Sequence, residues 1–202
     1  MERSRIQELH YITDMANVGS ILKRGILSHR HAQRVASRHV SVADAEVQTR
    51  RASKRVWVGR SSRPLHDYAN LYVHARNAML FILLRSRQGD LTVLSVDPEV
   101  LDLDGVVVAD RNAASFASLF LPATEGIAAL DEAAVFAERW TSSYEAKQLR
   151  MAEVLVPDRV PPSLIKGAYV PDHAAAERLR SHLGGWSLAT GVNPWLFFRS
   201  AP

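Results

Sequence analysis

Apolar residues recur at two different spacings along this chain, and the spacing switches several times. ELHYIT (Glu8–Thr13) mixes apolar and β-prone residues and predicts a short strand. Val18, Ile21 and Leu22 then recur at helical spacing, which predicts a helix over Asn17–Arg24 with Asn17 as N-cap and Gly25 as its stop. Ser41–Arg55 reads as a second helix, with Ala43, Val47 and Gln48 on one side and Arg and Lys around the rest. WVGRSSRPLHDYA (Trp57–Ala69) reads as a loop because Gly59, Ser61, Ser62 and Pro64 punctuate it.

Leu71, Tyr72 and Val73 mark a strand, and the apolar run AMLFILL (Ala78–Leu84) follows as a helix or strand that period alone does not assign. LTVLSV (Leu91–Val96), ended by Pro98, and GVVVAD (Gly105–Asp110) are strands. Asn112–Trp140 is Ala-rich and is expected to be helical, with a break at Pro122. RMAEVLVP (Arg150–Pro157), IKGAYVPD (Ile165–Asp172) and NPWLFF (Asn193–Phe198) are further strand candidates, and AAAERLRSHLGG (Ala174–Gly185) is a helix stopped at Gly184 or Gly185. Strands and helices mix without a regular βαβ period, so the expected class is α+β.

Composition narrows the chemistry. With 202 residues, 47% hydrophobic and 23% charged, the chain suits one domain over 1–202. The absence of cysteine excludes disulfides, thiolate metal sites and a Cys nucleophile. MERSRIQELHYIT holds no apolar run of signal-peptide length and AMLFILL is too short to span a bilayer, so a cytoplasmic protein is expected. There is no Gly-rich phosphate loop, no dinucleotide glycine fingerprint and no metalloprotease His pair. His29, His31 and His39 lie in a basic segment unwelcoming to a dication, so no metal is expected.

The net charge of +4 is unevenly placed. From Lys23 to Arg63 the basic residues, Arg34, Arg38, Arg50, Arg51, Lys54 and Arg55 among them, are opposed only by Asp44 and Glu46. Such a segment attracts a polyanion, and nucleic acid is the expected partner. Asp90–Asp110 carries six acidic and no basic residues, so two electrostatic faces are expected.

One residue breaks its local pattern. In LRMAEVLV (Leu149–Val156) a carboxylate, Glu153, sits among apolar neighbours and shares a strand face with Met151 and Leu155. Burying an unpaired carboxylate costs several kcal/mol, so it marks either a strand edge facing solvent or a functional site.

Four blocks in order, HYITDMANVGSILKRGILS, VQTRR, LHDYANLYVHARNAMLF and RMAEVLV with its following PPSLI, resemble the DarT-type DNA ADP-ribosyltransferase toxins over roughly Leu9–Ile165. The resemblance implies an ADP-ribosyltransferase-like fold, a central split mixed β-sheet flanked by helices. It also implies transfer of ADP-ribose from NAD to a base in single-stranded DNA with release of nicotinamide.

Residue by residue, it places the catalytic glutamate on Glu153 and the catalytic arginine on Arg51. The carboxylate would hold the ribose 2′-hydroxyl as oxocarbenium character develops, and the arginine would favour deprotonation of the attacking base. His10, Tyr11, Ile12, Thr13, Asn17, Tyr72, Arg76 and Met79 fall at cofactor-binding positions, with His10 and Tyr11 competing for the family's histidine position. Tyr68 matches in the HDY unit. Asp110–Trp140 would form the substrate loop and its flanks, and Arg50, Lys54, Arg55, Arg111 and Trp140 would contact nucleic acid. A toxin-antitoxin or phage-defence role, with a macrodomain-type ADP-ribosyl hydrolase as antitoxin, is what the family implies. Two other readings are an ADP-ribosyltransferase acting on RNA and a basic nucleic-acid-binding module without catalysis.

Overall fold

The computed structural model describes residues 1–35, 40–42, 45–86 and 90–199. Arg38, His39, Ala43 and Asp44, singled out above, lie outside the described residues. The strands are β1 (Leu9–Asp14), β2 (Ile26–Leu27), β3 (Arg55–Val58), β4 (Ser61–Pro64), β5 (Tyr68–Tyr72), β6 (Leu91–Val96), β7 (Val107–Ala109), β8 (Phe120–Pro122), β9 (Glu153–Pro157), β10 (Arg159–Val160), β11 (Ile165–Val170) and β12 (Ala189–Val192). The helices are α1 (Val18–Arg24), α2 (His29–Arg34), α3 (Ala45–Ser53), α4 (Ala78–Ser86), α5 (Ala123–Ala129), α6 (Glu132–Val135), α7 (Tyr144–Leu149) and α8 (His173–His182).

Among the described residues eight strands form one sheet in the order β12-β11-β6-β1-β5-β9-β7-β8, and β2–β10 and β3–β4 form two small ribbons. The β11–β12 pair is parallel and the other pairs of the large sheet are antiparallel, so the sheet is mixed. One face packs Leu9, Leu71, Val154 and Val156 against Val18 and Ile21 of α1 and Leu179 of α8. The other packs Ile12, Tyr72 and Val93 against Leu80 and Leu83 of α4. Covering both faces explains why all six residues of β6 are buried.

The apolar pattern located six of the eight described strands of the large sheet, and the departures have local causes. Ser61–Pro64, read as loop, is the second strand of a hairpin closed by Gly59 at φ 57°. Arg55 opens β3, so the second helix stops at Ser53. Within the Ala-rich segment, Phe120–Pro122 forms a sheet-edge strand on β7. Asn193–Phe198 is a turn rather than a strand, and β12 lies just before it. Asn17 stands at the N-cap of α1 but does not cap it. Its amide instead donates to Thr13 Oγ1 at 3.0 Å and to the Val40 carbonyl at 2.9 Å, and its carbonyl accepts from Val40 N–H.

The acidic stretch does not make a bare negative face. Asp90 pairs with Arg178, Asp97 with Lys166, Asp102 with Arg3 and Asp110 with Arg111. Folding brings Arg178, Lys166 and Arg3 to it from distant parts of the chain, while Arg111 directly follows Asp110. Among the described residues no helix is long and apolar enough to cross a membrane.

Gly25 joins α1 to β2 at φ 87°, ψ 177°, a region that side chains other than glycine's do not tolerate. A Cβ there would lie 2.1 Å from the Val160 carbonyl oxygen of β10. Gly25→Ala should therefore lower the unfolding free energy in urea by about 3 kcal/mol or more. Gly59→Ala, with open space around its Cβ, should cost only about 1 kcal/mol from its positive φ.

Candidate active site

A lateral row of residues crosses the sheet. His10 on β1 lies opposite Tyr72 on β5, Tyr72 opposite Glu153 on β9, and Glu153 opposite Ala109 on β7. Directly opposed residues share a face, so His10, Tyr72 and Glu153 project to the same side. β9 begins at Glu153 itself, with Met151 in the turn after α7. Glu153 is 0% exposed and sits between the cluster holding Met151 and Tyr72 and the cluster holding Leu155, Leu65 and Ala113.

The carboxylate is not alone. Arg51, in the last turn of α3 and 7% exposed, donates through Nη1 to Oε2 at 3.1 Å and to Oε1 at 3.4 Å. The Ala113 backbone N–H donates to Oε1 at 3.1 Å. A buried ion pair repays its desolvation only with further hydrogen bonds, and Ala113 supplies one. It belongs to the loop between β7 and β8, whose Phe116 and Leu119 stand exposed. Residue type could not have announced Ala113, since every residue but proline keeps a backbone N–H.

Beside this row the sheet splits. β1 pairs with β6 over its whole length and β5 with β9 over its whole length, but β1 and β5 meet only at His10 and Tyr72. Tyr11, Ile12 and Thr13 form one lip of the resulting cleft, and Tyr68, Asn70 and Tyr72 the other. Asn17, Gln48, Arg51, His66 and Met79 also line it. The Tyr72 hydroxyl donates to Met79 Sδ at 2.8 Å, and burial, reinforced by the Glu153 carboxylate, raises its pKa. Burial likewise raises that of Tyr11. His66, a cleft residue that sequence reasoning passed over, is pushed down to about 4 by burial, with His29, Arg51 and Arg30 adding to the effect. Its Nε2 is buried with no hydrogen-bond partner among the described residues.

The structure thus brings Tyr11, Ile12, Thr13, Asn17, Tyr72 and Met79 to one cleft with Arg51, and Glu153 to its inner end. It places His10 and Arg76 elsewhere. His10 turns to a different cavity, and Arg76 lies over the rings of Trp195 and Phe198 at 4.7 and 4.3 Å. Of the expected nucleic-acid contacts, Arg50 and Arg55 are exposed, Arg50 being paired with Glu46. Lys54 bridges to the Ser115 carbonyl at 2.8 Å, and Arg111 pairs with Asp110. Trp140 is 5% exposed and packs edge-on against Phe198, so it does not reach the surface. Among the described residues no group of three or more His, Cys, Asp or Glu could hold a metal ion.

The chain is 32% identical over 201 residues to a DNA ADP-ribosyl transferase-DNA ADP-ribosyl glycohydrolase fusion protein of Thermosipho africanus, a match covering 96% of this chain and 50% of that protein. The chain therefore spans about half the length of that relative. Thermosipho africanus DarTG in complex with ADP-ribose superposes with a TM-score of 0.84 at 31% identity, over 96% of this chain and 51% of that one. Thermus sp. 2.9 DarT in complex with ADP-ribosylated ssDNA gives 0.84 at 22% identity over 96% and 97%. The same protein in complex with NAD+ gives 0.80 at 20% over 95% and 98%. The family model described as DarT, ssDNA thymidine ADP-ribosyltransferase, matches residues 10–198. With a split mixed sheet, a buried Arg–Glu pair at the end of its cleft and a family match over nearly its whole length, this chain belongs to the DarT family of ssDNA thymidine ADP-ribosyltransferases.

Proposed function

We propose that this chain, a single domain over its 202 residues, transfers ADP-ribose from NAD to thymidine in single-stranded DNA and releases nicotinamide. The observation that carries this reading is the buried Arg51–Glu153 pair at the inner end of the β1–β5 cleft. Family membership supports the donor and the acceptor, as do the NAD+ and ADP-ribosylated ssDNA complexes of the Thermus relative.

In this reading Thr13 and the backbone of Tyr11 grip the nicotinamide amide, and Tyr72 packs on the ring. Asn17 keeps Thr13 in place through its 3.0 Å hydrogen bond. Glu153 accepts from the ribose 2′-hydroxyl and stabilises positive charge on the sugar as its bond to nicotinamide breaks. The thymine ring nitrogen that carries a proton forms the new bond to the anomeric carbon as nicotinamide leaves with the electron pair of the broken bond, and the proton passes to water. Arg51, a planar fork of donors already beside Glu153, stabilises the negative charge that deprotonation places on the base. Held 3.1 Å from Glu153, it needs little rearrangement to do so. The acceptor must leave its stack to reach a buried carboxylate, which favours single strands. The exposed β7–β8 loop, pinned to Glu153 by Ala113 and to Lys54 by Ser115, is the surface on which it arrives.

We place this activity in the cytoplasm, as the toxin of a toxin-antitoxin or phage-defence system countered by an ADP-ribosyl hydrolase. The fusion of transferase and glycohydrolase in the Thermosipho relative supports that pairing.

Single-stranded oligonucleotides incubated with the protein and NAD should gain one ADP-ribose by mass spectrometry when they contain thymidine. No adduct on any DNA base would refute the reading, and adducts confined to RNA of the same sequence would change the acceptor. Glu153→Gln should cut the transfer rate by about a hundredfold or more.

The pair also predicts a stability pattern. Because Glu153 is partnered, removing its charge strands a buried guanidinium instead of relieving desolvation, contrary to what an unpaired carboxylate would do. Glu153→Ala should cost about 3–5 kcal/mol in urea unfolding, and Arg51→Met combined with Glu153→Leu should recover much of that loss.

A further inference from the structure

Arg150 is the largest fully buried side chain among the described residues, at 1% exposure, and none of the groups it bonds is a carboxylate. Burial, with Arg76 close by, brings its pKa down to about 10, so the guanidinium is still charged at neutral pH. Taking a cation out of water costs several kcal/mol even after relaxation. An apolar side chain of similar volume avoids that cost, so the reason for an arginine lies in what its donors reach.

Each nitrogen of the guanidinium meets a different acceptor. Nε donates to the Arg76 carbonyl at 3.0 Å, Nη1 to the Val135 carbonyl, and Nη2 to His74 Nδ1 at 3.2 Å. Burial and the Arg150 charge hold the His74 pKa down at about 3, so the ring is neutral, and Nδ1 is assigned as its unprotonated nitrogen. The same Nδ1 also accepts from the Arg76 backbone N–H at 3.1 Å. Val135 is the last residue of α6, where a helix carbonyl has no partner within its own helix. Arg150 itself closes α7, three residues before Glu153.

Two of the three acceptors belong to the loop between β5 and α4. Within that loop the Asn77 amide donates to the His74 carbonyl at 3.0 Å, and Asn77 Oδ1 accepts from Leu80 N–H at 3.2 Å, which fixes the start of α4. Ala75 and Asn77 are fully buried. Met79 stands in the first turn of α4 and accepts from the Tyr72 hydroxyl at 2.8 Å. At the near end of the loop Val73 N–H donates to the Ala152 carbonyl at 3.1 Å. The loop that brings Met79 onto Tyr72 is thus tied at both ends of its span to the short segment leading into Glu153, by Ala152 and by Arg150.

We propose that Arg150 is a positioning residue for the nicotinamide end of the cleft: by holding His74 and the Arg76 carbonyl it keeps the β5–α4 loop in register with Glu153, and so keeps Met79 and Tyr72 where they meet the nicotinamide ring. The inference rests on the NAD reading above. Arg150 acts through the loop and touches neither substrate, and its bond to Val135 braces the fork from the α6 side. A planar fork is what three separate acceptors require, and the single nitrogen of a lysine does not meet them together.

The experiment compares Arg150→Lys and Arg150→Met with the unaltered protein in the thymidine-transfer assay, each at a temperature where circular dichroism shows the native fold. KM for NAD should rise about tenfold or more, while kcat and the KM for the oligonucleotide stay within about threefold. Arg150→Met strands no buried charge, so it reads the same contacts if the lysine variant does not fold. Met79→Ala should raise the KM for NAD by itself, and adding Arg150→Met to it should change that KM less than about twofold further, since both act on one contact. Variants that lose stability but keep the KM for NAD overturn the proposal, as does a rise confined to the KM for the oligonucleotide or a full multiplication of the two effects in the double variant. Failure of both Arg150 variants to fold at any temperature overturns it too, because the residue is then needed for the fold itself. If the unaltered protein modifies no oligonucleotide, the transfer reading falls, and calorimetric NAD binding decides for Arg150 separately: a Kd about tenfold weaker in Arg150→Met supports its role and an unchanged Kd refutes it.

Discussion

The ion pair between Arg51 and Glu153 is the constraint around which this molecule is arranged. A carboxylate with no exposure on a central strand is tenable only if a cation and a further donor reach it, and both come from segments far away in sequence. Arg51 fixes how α3 lies on the sheet. The Ala113 N–H fixes where the β7–β8 loop begins. Two apolar clusters close in from either side, one through Met151 and Tyr72 and the other through Leu155 and Leu65, and they keep water from replacing the protein's own donors.

A second constraint follows from the strand order. β1 and β5 touch at one residue pair and diverge, because β1 is committed to β6 and β5 to β9. The divergence opens the cleft without any unusual backbone at its lips, and it puts two cavities on either side of Tyr72. One is lined by Arg51, Thr13, Met79 and Tyr72 itself, the other by Glu8, His10 and His74. Position along β1 goes with the site: Tyr11, Ile12 and Thr13 line the first and His10 the second.

Charge behaves in the same way. The six acidic residues between Asp90 and Asp110 look like a negative surface when read in line, yet Arg178, Lys166, Arg3 and Arg111 partner four of them. The basic run from Lys23 to Arg63 spends Arg51 on Glu153, Arg30 on Asp67 and Arg63 on Asp158. Lys23, Arg24, Arg34, Arg50, Arg55 and Arg60 stay exposed, as does Trp57, so the outward cationic surface is smaller than the linear count suggests.

The sequence by itself determined much. Periodicity located β1, β5, β6, β7, β9 and β11 and the helices α1 and α8, because burial on one or both faces writes itself into the order of apolar residues. The oddness of Glu153 was visible for the same reason, and four ordered blocks carried the family. Tertiary structure decided the rest. The Ser61–Pro64 strand and the turn at Asn193–Phe198 escaped because short edge strands and aromatic turns carry no period. Nothing in one dimension says that Arg51 meets Glu153 rather than its paired neighbour Arg50, that a backbone N–H at Ala113 completes the pair, or that Asn17 clamps Thr13 instead of capping its helix. Such relations depend on which strands become neighbours and which face of each is covered, and that is settled only when the whole chain buries its apolar surface at once.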